Sequence, residues 1–376
     1  MKRIQEEYIV KDLKKKMVFL TGPRQVGKTF VSKEIMKRYK NPLYLSYDKK
    51  SEREIILSEN FRDTVDFIVF DEIHKMPQWK NYLKGIYDTK KESLHILVTG
   101  SARLDTFVSG GDSLAGRYFL HHLLPFSYKE IQESSKKEKI SLDRFLQRGG
   151  FPEPFLAEEE SDALRWRNQY VQGIIQEDIL NFENITSLKA MNILVSLLRE
   201  RVGSLISYSS LARDLQVAPA TVKKYLSILE SLFIIFPVFP VTKNIARSLL
   251  KEAKYYFYDT GLVKGEEGLI FENFCAVSLL KHALFLRDTQ GKDIRLQFIR
   301  TKEGKEVDFC ITEDSFAKFL YEVKLYEKSL SPHLFYFSQK YKMKGVQIVK
   351  EIDTERKISD DLEVLSGETV FSSLSL

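Results

Sequence analysis

Apolar positions in this chain gather into short runs separated by amphipathic stretches, and that alternation sets out the elements. "MVFLTG" at 17–22 is a continuous apolar run closed by glycine, the pattern of a buried strand. The following "KTFVSKEIMKRY" predicts an amphipathic helix over about 28–39. A second strand is predicted in "DFIVFDEIHKMPQW", where four apolar residues at 67–70 precede Asp71 and Glu72, and a third in "LHILVTGSARL" at 94–104. "GGDSLAGRYFLHHLLPFS" then reads as a glycine turn, a short helix and a strand beginning near Tyr118.

Charge-rich text around "QRGGFPEPFL" makes 131–165 the best boundary in the chain. Two amphipathic helices are predicted beyond it, in "LRWRNQYVQGIIQEDILNF" and "SLKAMNILVSLLRERVGSLI". In "ISYSSLARDLQVAPATVKKYLSILESLFIIFPVFP" a helix over 208–215, a turn through Val217 and a second helix from Pro219 have helix-turn-helix spacing. Pro219 suits a first helical turn. The β-branched and aromatic run that follows, with "AKYYFYDTGL" at 253–262, has the makings of a winged-helix hairpin. Lys223 and Lys224 would be that module's DNA-facing residues, although two lysines give only a modest electrostatic contribution and winged helices also dock proteins.

At 376 residues the chain has room for two or three domains, and 43% hydrophobic with 29% charged residues is ordinary globular composition. The net charge of +6 is compatible with nucleic acid but is spread along a long chain. The longest apolar stretch, "SLFIIFPVFPV" at 231–241, is too short to span a membrane and carries two prolines. The N-terminal "MKRIQEEYIVKDLKKKMVFL" lacks the apolar core of a signal peptide, so a cytoplasmic address with no membrane partner is expected. Cys275 and Cys310 stand apart from each other and from any His cluster and read as buried thiols.

The sharpest chemical signal is Gly22-Pro23-Arg24-Gln25-Val26-Gly27-Lys28-Thr29, which fits G-x-x-x-x-G-K-[ST] between a predicted strand and a predicted helix. Its amides would ring the β-phosphate of ATP and Lys28 would bridge to the γ-phosphate. The Thr29 hydroxyl would bind Mg²⁺, and Phe30 completes the segment expected to touch nucleotide. Asp71 would hold Mg²⁺ through its waters, and Glu72 would act as general base for the attacking water. Thr99 and Ser101, ending the next strand, are candidates to reach the γ-phosphate or that water. Arg117 is either a finger reaching a phosphate in an adjacent subunit or a structural salt bridge.

"GPRQVGKT", "FDEIHKMPQWKNYLK", "LVTGSARL" and "SLAGRYFLHHLLPFSYKE", in that order over about 17–130, resemble the AAA+ ATPases of bacteria and archaea that carry a large, functionally undefined C-terminal domain. The resemblance implies an α/β P-loop NTPase with parallel sheet order 5-1-4-3-2, Walker A at 22–29, Walker B at Asp71–Glu72, a sensor at Ser101 and an arginine finger at Arg117, acting as a homo-oligomer, ring or dimer. No second sensor arginine is apparent beyond the core. The expected layout is an ATPase core at 1–130, a helical lid or linker at 131–204, a winged-helix-like module at 205–265 and a final domain at 266–376.

That final stretch holds a second pattern. Glu272 lies on a predicted helix, Asp308 on a strand in "RTKEGKEVDFCITED", and Glu322 and Lys324 on one face of the strand "FAKFLYEVKLYEK". Two carboxylates and a lysine on a sheet can bind Mg²⁺ and activate water against a phosphodiester. The set resembles the restriction-endonuclease-like fold, with its helical acid, its Asp and its E-x-K. The alternatives are a charged surface hairpin or an inactive descendant kept for assembly. The expectation is therefore an ATP- and Mg²⁺-dependent ATPase acting on DNA. Alternatives are a nucleotide-gated scaffold and an ATP-regulated nuclease.

Overall fold

In the computed structural model, the first apolar run forms β1 (Met17–Thr21), buried along its whole length. The structure describes residues 2–90, 93–100, 114–134, 140–175, 187–241, 252–326 and 329–376. The chain divides into two units, Met1–Leu124 and Pro125–Leu376, so the first unit ends a few residues before the expected boundary at 130.

The first unit begins with α1 (Gln5–Leu13), and β1 is followed by α2 (Lys28–Met36). β2 (Pro42–Ser46), α3 (Lys50–Ser58), β3 (Phe67–Asp71), α4 (Trp79–Lys90), β4 (His95–Thr99) and β5 (Tyr118–His122) complete it. α2 stops short of the predicted end, and Tyr39 instead stacks on Phe67 at 4.3 Å. All five strands run parallel in the order β5-β1-β4-β3-β2, the order the resemblance implies. Phe19, Ile68, Phe70, Trp79, Leu83 and Val98 share one core cluster. Each such side chain contributes about 1.5–3 kcal/mol by leaving water. Register puts one row of residues across the carboxyl ends of the strands: His121 beside Leu20, Leu20 beside Thr99, Thr99 beside Asp71, and Asp71 beside Ser46. That edge is where a doubly wound sheet presents ligands.

The second unit is built on an eight-stranded mixed sheet of order β12-β13-β11-β10-β9-β8-β6-β7. Its strands are β6 (Ile235–Pro240), β7 (Lys254–Phe257), β8 (Ile294–Arg300), β9 (Glu306–Glu313), β10 (Phe316–Tyr326), β11 (Lys344–Glu351), β12 (Arg356–Lys357) and β13 (Leu362–Ser366). The hairpin expected as the wing of a winged helix is β6–β7, and β6 also pairs in parallel with β8. Residues 205–265 and 266–376 therefore share one sheet, because Phe239 and Pro240 continue it rather than ending it.

Among the described residues, one helix, Glu267–Gln290, is long and apolar enough to cross a membrane, with mean hydropathy 1.5 in its most apolar window. It is a core helix: 61% of that window is buried, and Phe274 packs on Phe145 and Phe371 at 5.2 and 5.0 Å. Lys281 on this helix makes a buried ion pair with Glu130 and donates to the Pro125 carbonyl at 2.8 Å.

The described part of the expected linker is also folded, with helices at Leu142–Arg148, Pro152–Leu156 and Glu160–Gly173. Its glycines have a packing reason. A Cβ on Gly149 would lie 1.9 Å from Asp259 Oδ1, and one on Gly261 would lie 2.2 Å from Arg167 Nε. Those two glycines make room for the buried Arg167–Asp259 pair, 3.4 Å apart, so "QRGGFPEPFL" and "YDTGL" are halves of one structural knot. Sequence spacing hid this because the halves lie about a hundred residues apart.

Candidate functional site

The phosphate-loop residues leave β1 at the carboxyl edge and enter α2. Gly22 (φ 145°), Gln25 (φ 59°) and Gly27 (φ 99°) take positive φ, the backbone pattern that turns successive amides toward one point. Lys28 is folded over the loop, its Nζ donating to the Gly22 and Pro23 carbonyls at 2.9 and 2.6 Å. Burial lowers the Lys28 pKa to about 8, against the opposing pull of Glu72 and Asp71. Val26 is fully buried, whereas Gln25, Thr29 and Phe30 are exposed and Pro23 is buried. Arg24 is half-buried at the loop's turn.

Asp71 is fixed at both oxygens: Thr99 Oγ1 donates to Oδ1 at 2.6 Å and the Tyr44 hydroxyl donates to Oδ2 at 2.7 Å. Tyr44 also hydrogen-bonds the Thr29 side chain, so it ties together the two residues expected to meet Mg²⁺. Sequence reasoning missed Tyr44, which comes from β2 and carries no motif. Thr99, one of the polar strand-end candidates, is here committed to Asp71. Ser101 lies outside the described residues.

Glu72 sits in a left-handed conformation (φ 55°), with its amide donating to Thr99 O at 2.9 Å. Its Oε2 is buried and accepts no hydrogen bond, with Lys75 Nζ at 3.6 Å and His74 Nε2 at 3.5 Å. Burial raises its pKa, Lys75 and Lys28 pull it down, and Asp71 adds to the rise. A buried carboxylate oxygen without a donor is costly unless a ligand or water completes it. Thr21 Oγ1, also buried, likewise has no hydrogen-bond partner. Together these groups fit a magnesium-bound triphosphate.

Arg117 stands elsewhere. It precedes Tyr118, which pairs with Met17, whereas the loop leaves from Thr21. Four strand residues at about 3.3 Å each separate it from the phosphate edge within the chain. Its guanidinium forms a two-pronged pair with Asp88, at 2.8 and 3.0 Å. Arg117 is thus paired with Asp88 at the amino edge of the sheet, away from this chain's own phosphate loop.

In the second unit, Glu272, Asp308, Glu322 and Lys324 do come together. Asp308 Oδ2 accepts from Val323 N at 2.8 Å, Lys324 Nζ meets Glu322 Oε1 at 2.8 Å, and Ser331 Oγ donates to the same oxygen at 3.1 Å. Tyr256 donates to Glu272 Oε1 at 2.8 Å. Burial, then Glu322 and Glu272, push Asp308 up to about 8. A second lysine that the pattern did not contain stands among them. Lys254 is only 3% exposed, and its Nζ lies 2.7 Å from Glu306 Oε1. Although burial works against its charge, Glu272, Asp308 and Glu306 raise its pKa. Among the described residues, no group of three or more His, Cys, Asp or Glu side chains is arranged to hold a metal ion. The donor set as it stands does not fit a divalent cation, because an ammonium already compensates the acids.

The helix pair falls at Tyr208–Leu215 and Pro219–Ser231, with Gln216 in the left-handed conformation between them. Lys223 and Lys224 are exposed, and Lys223 lies 5.6 Å from the Tyr208 ring centre.

A parallel sheet with β4 between the phosphate-loop strand and the acid-bearing strand defines the first unit as a P-loop NTPase domain. Residues 14–132 match the family described as AAA domain, so this domain is of the AAA type. Residues 139–269 and 267–366 match two families described as domains of unknown function, DUF8612 and DUF4143. An uncharacterized protein of Mycobacterium tuberculosis is 28% identical over 254 residues, covering 66% of this chain and 55% of that protein. The match thus spans about half that relative's length. An uncharacterized protein of Methanocaldococcus jannaschii is 25% identical over 410 aligned residues, covering 94% of this chain and 84% of that protein. Among solved structures, a Walker-type ATPase of Pyrococcus abyssi matches with TM-score 0.45 at 13% identity, over 71% of this chain and 94% of that one. The Orc1 protein of Aeropyrum pernix in complex with DNA matches with TM-score 0.34 at 13% identity, over 73% and 93%. Likenesses this distant carry no functional weight.

Proposed function

We propose that the chain is an ATP-driven machine whose first unit hydrolyses ATP with Mg²⁺ and whose second unit engages DNA, working as a homo-oligomer in the cytoplasm. The observation that carries the ATPase reading is the buried Glu72 Oε2, which accepts no hydrogen bond, beside an Asp71 fixed at both oxygens. Bound magnesium triphosphate supplies the electrophilic phosphoryl group. The loop amides and Lys28 supply compensating positive charge, which requires Lys28 to leave the Gly22 and Pro23 carbonyls. Asp71 and Thr29, both bonded to Tyr44, are the residues that would hold the metal. Glu72 takes the proton of the attacking water at Oε2, and its raised pKa brings its basicity nearer neutrality.

DNA engagement is supported by the helix-turn-helix spacing and the exposed Lys223 and Lys224. Metal-dependent cleavage at Asp308, Glu322 and Lys324 requires Lys254 to be displaced. Its presence favours the second reading, in which the acid cluster is a retained structural feature and the nucleotide gates a scaffold. The deciding experiment measures ATP turnover with and without single-stranded, duplex and branched DNA on wild type, Lys28→Ala, Glu72→Gln and Asp308→Ala. Turnover is expected to rise with DNA, to vanish in Lys28→Ala and to fall about 10²–10⁴-fold in Glu72→Gln. It should be unaffected in Asp308→Ala. A rate identical with and without every DNA form would remove DNA from this proposal.

A further inference from the structure

The sequence offered nothing at Arg3, in a segment read only as a mixture of acids and bases. In the fold Arg3 is 2% exposed. Its Nη1 donates to the Val26 carbonyl at 3.1 Å, and its Nη2 donates to the Leu124 carbonyl. Val26 belongs to the phosphate loop, and Leu124 is the last residue of the first unit. The same exit segment supports the other end of the loop: Leu123 N donates to Thr21 O at 2.8 Å, and a Cβ on Gly22 would lie 2.1 Å from Leu123 O.

We propose that Arg3 is a positioning residue for nucleotide, holding the phosphate loop in its anion-accepting shape; this rests on the reading of the loop as the ATP site. The Val26 carbonyl and the Gly27 N–H are the two ends of one peptide group. A guanidinium on the oxygen polarises that group and makes the N–H a stronger donor. Gly27 is the residue from which α2 begins, in a left-handed conformation, so the orientation of this peptide decides whether an amide or a carbonyl faces the anion. Without Arg3 the buried oxygen loses a charged donor, and a flipped peptide would set a carbonyl dipole against phosphate. The second prong, on Leu124, makes the loop's shape and the position of the exit segment a single constraint.

Gln5 is the natural control. It is 2% exposed, and its Nε2 donates to the His122 carbonyl, so it anchors the start of α1 to the end of β5, two residues from Arg3 and from Leu124, without a hydrogen bond to the loop. The test is equilibrium binding of labelled ATP with Mg²⁺ to the full chain, with single-turnover rates at saturation. The proteins compared are wild type, Arg3→Met, Arg3→Lys and Gln5→Ala. Loss of a charge-assisted bond predicts Kd raised about tenfold or more in Arg3→Met, with the single-turnover rate within about threefold of wild type. Arg3→Lys, which keeps the charge but cannot fork to both carbonyls, should recover part of the loss. Gln5→Ala should bind as wild type does. Equal affinity in wild type and Arg3→Met, or an equal loss in Gln5→Ala, overturns the proposal. Should Arg3→Met fail to fold, Arg3→Lys against Gln5→Ala decides by the same comparison. Wild-type protein that takes up no ATP would fell the ATPase reading and this one together, a result distinct from the failure of Arg3 alone.

Discussion

The motif treats its two glycines alike, but the fold does not, and Gly22→Ala against Gly27→Ala exposes the difference. At Gly22 a Cβ would sit 2.1 Å from Leu123 O, with φ at 145°. Observed Cβ contacts essentially never fall under 3.0 Å, so backbone must move by about 1 Å, either in the loop or in the exit segment. The strained φ costs about 1–3 kcal/mol and the overpacking a similar amount, which places the total near 4 kcal/mol. At Gly27 the nearest atom to a Cβ is Arg3 Nη1 at 4.0 Å, ordinary contact, so the φ of 99° alone is penalised and the cost is about 1–2 kcal/mol. Thermal unfolding of the full chain, followed by probes in each unit, should show the first unit's midpoint lowered by roughly 10 °C or more in Gly22→Ala. Gly27→Ala should lower it by about half of that or less. ATP turnover should fall about a hundredfold in Gly22→Ala, since a 1 Å misplacement of the groups that position a reacting phosphate costs about that much in rate. A Gly22→Ala midpoint equal to wild type, or the reverse ranking of the two variants, would refute the packing argument.

Three further outcomes are expected. Tyr44→Phe removes the shared partner of Thr29 and Asp71, so half-saturation by Mg²⁺ in the ATPase assay should rise about five- to tenfold, while metal-free nucleotide binding stays unchanged. Burial lifts Glu230 from 4.5 to about 7, with Tyr255 pulling the other way, so the unfolded chain releases this proton first and stability declines as pH rises between those values. Glu230→Gln should flatten that decline, worth up to about 3 kcal/mol, in urea unfolding at pH 5 and pH 8. Lys254→Met leaves Glu272, Asp308 and Glu306 without their buried cation; urea unfolding at pH 8 should show a loss of about 3–5 kcal/mol, smaller at pH 6 where the acids can take protons.

The sequence by itself determined whatever depends on neighbours along the chain. A glycine loop between a buried strand and a helix, an acid pair ending an apolar run, and a proline opening a second helix are local rules, and each fell within a few residues of its place. Tertiary structure alone decided which distant groups share a charge or a packing void. It gave Asp71 its Tyr44 and Thr99 donors, paired Arg117 with Asp88 at the amino edge of the sheet, and placed Lys254 among the acids of the second unit. It also closed Gly149 and Gly261 around Arg167 and set Arg3 on the phosphate loop. The reason is physical: spacing along a strand or helix fixes direction and face. The partner that satisfies a buried ion or carbonyl is chosen by strand order and register, which bring together residues far apart in the chain.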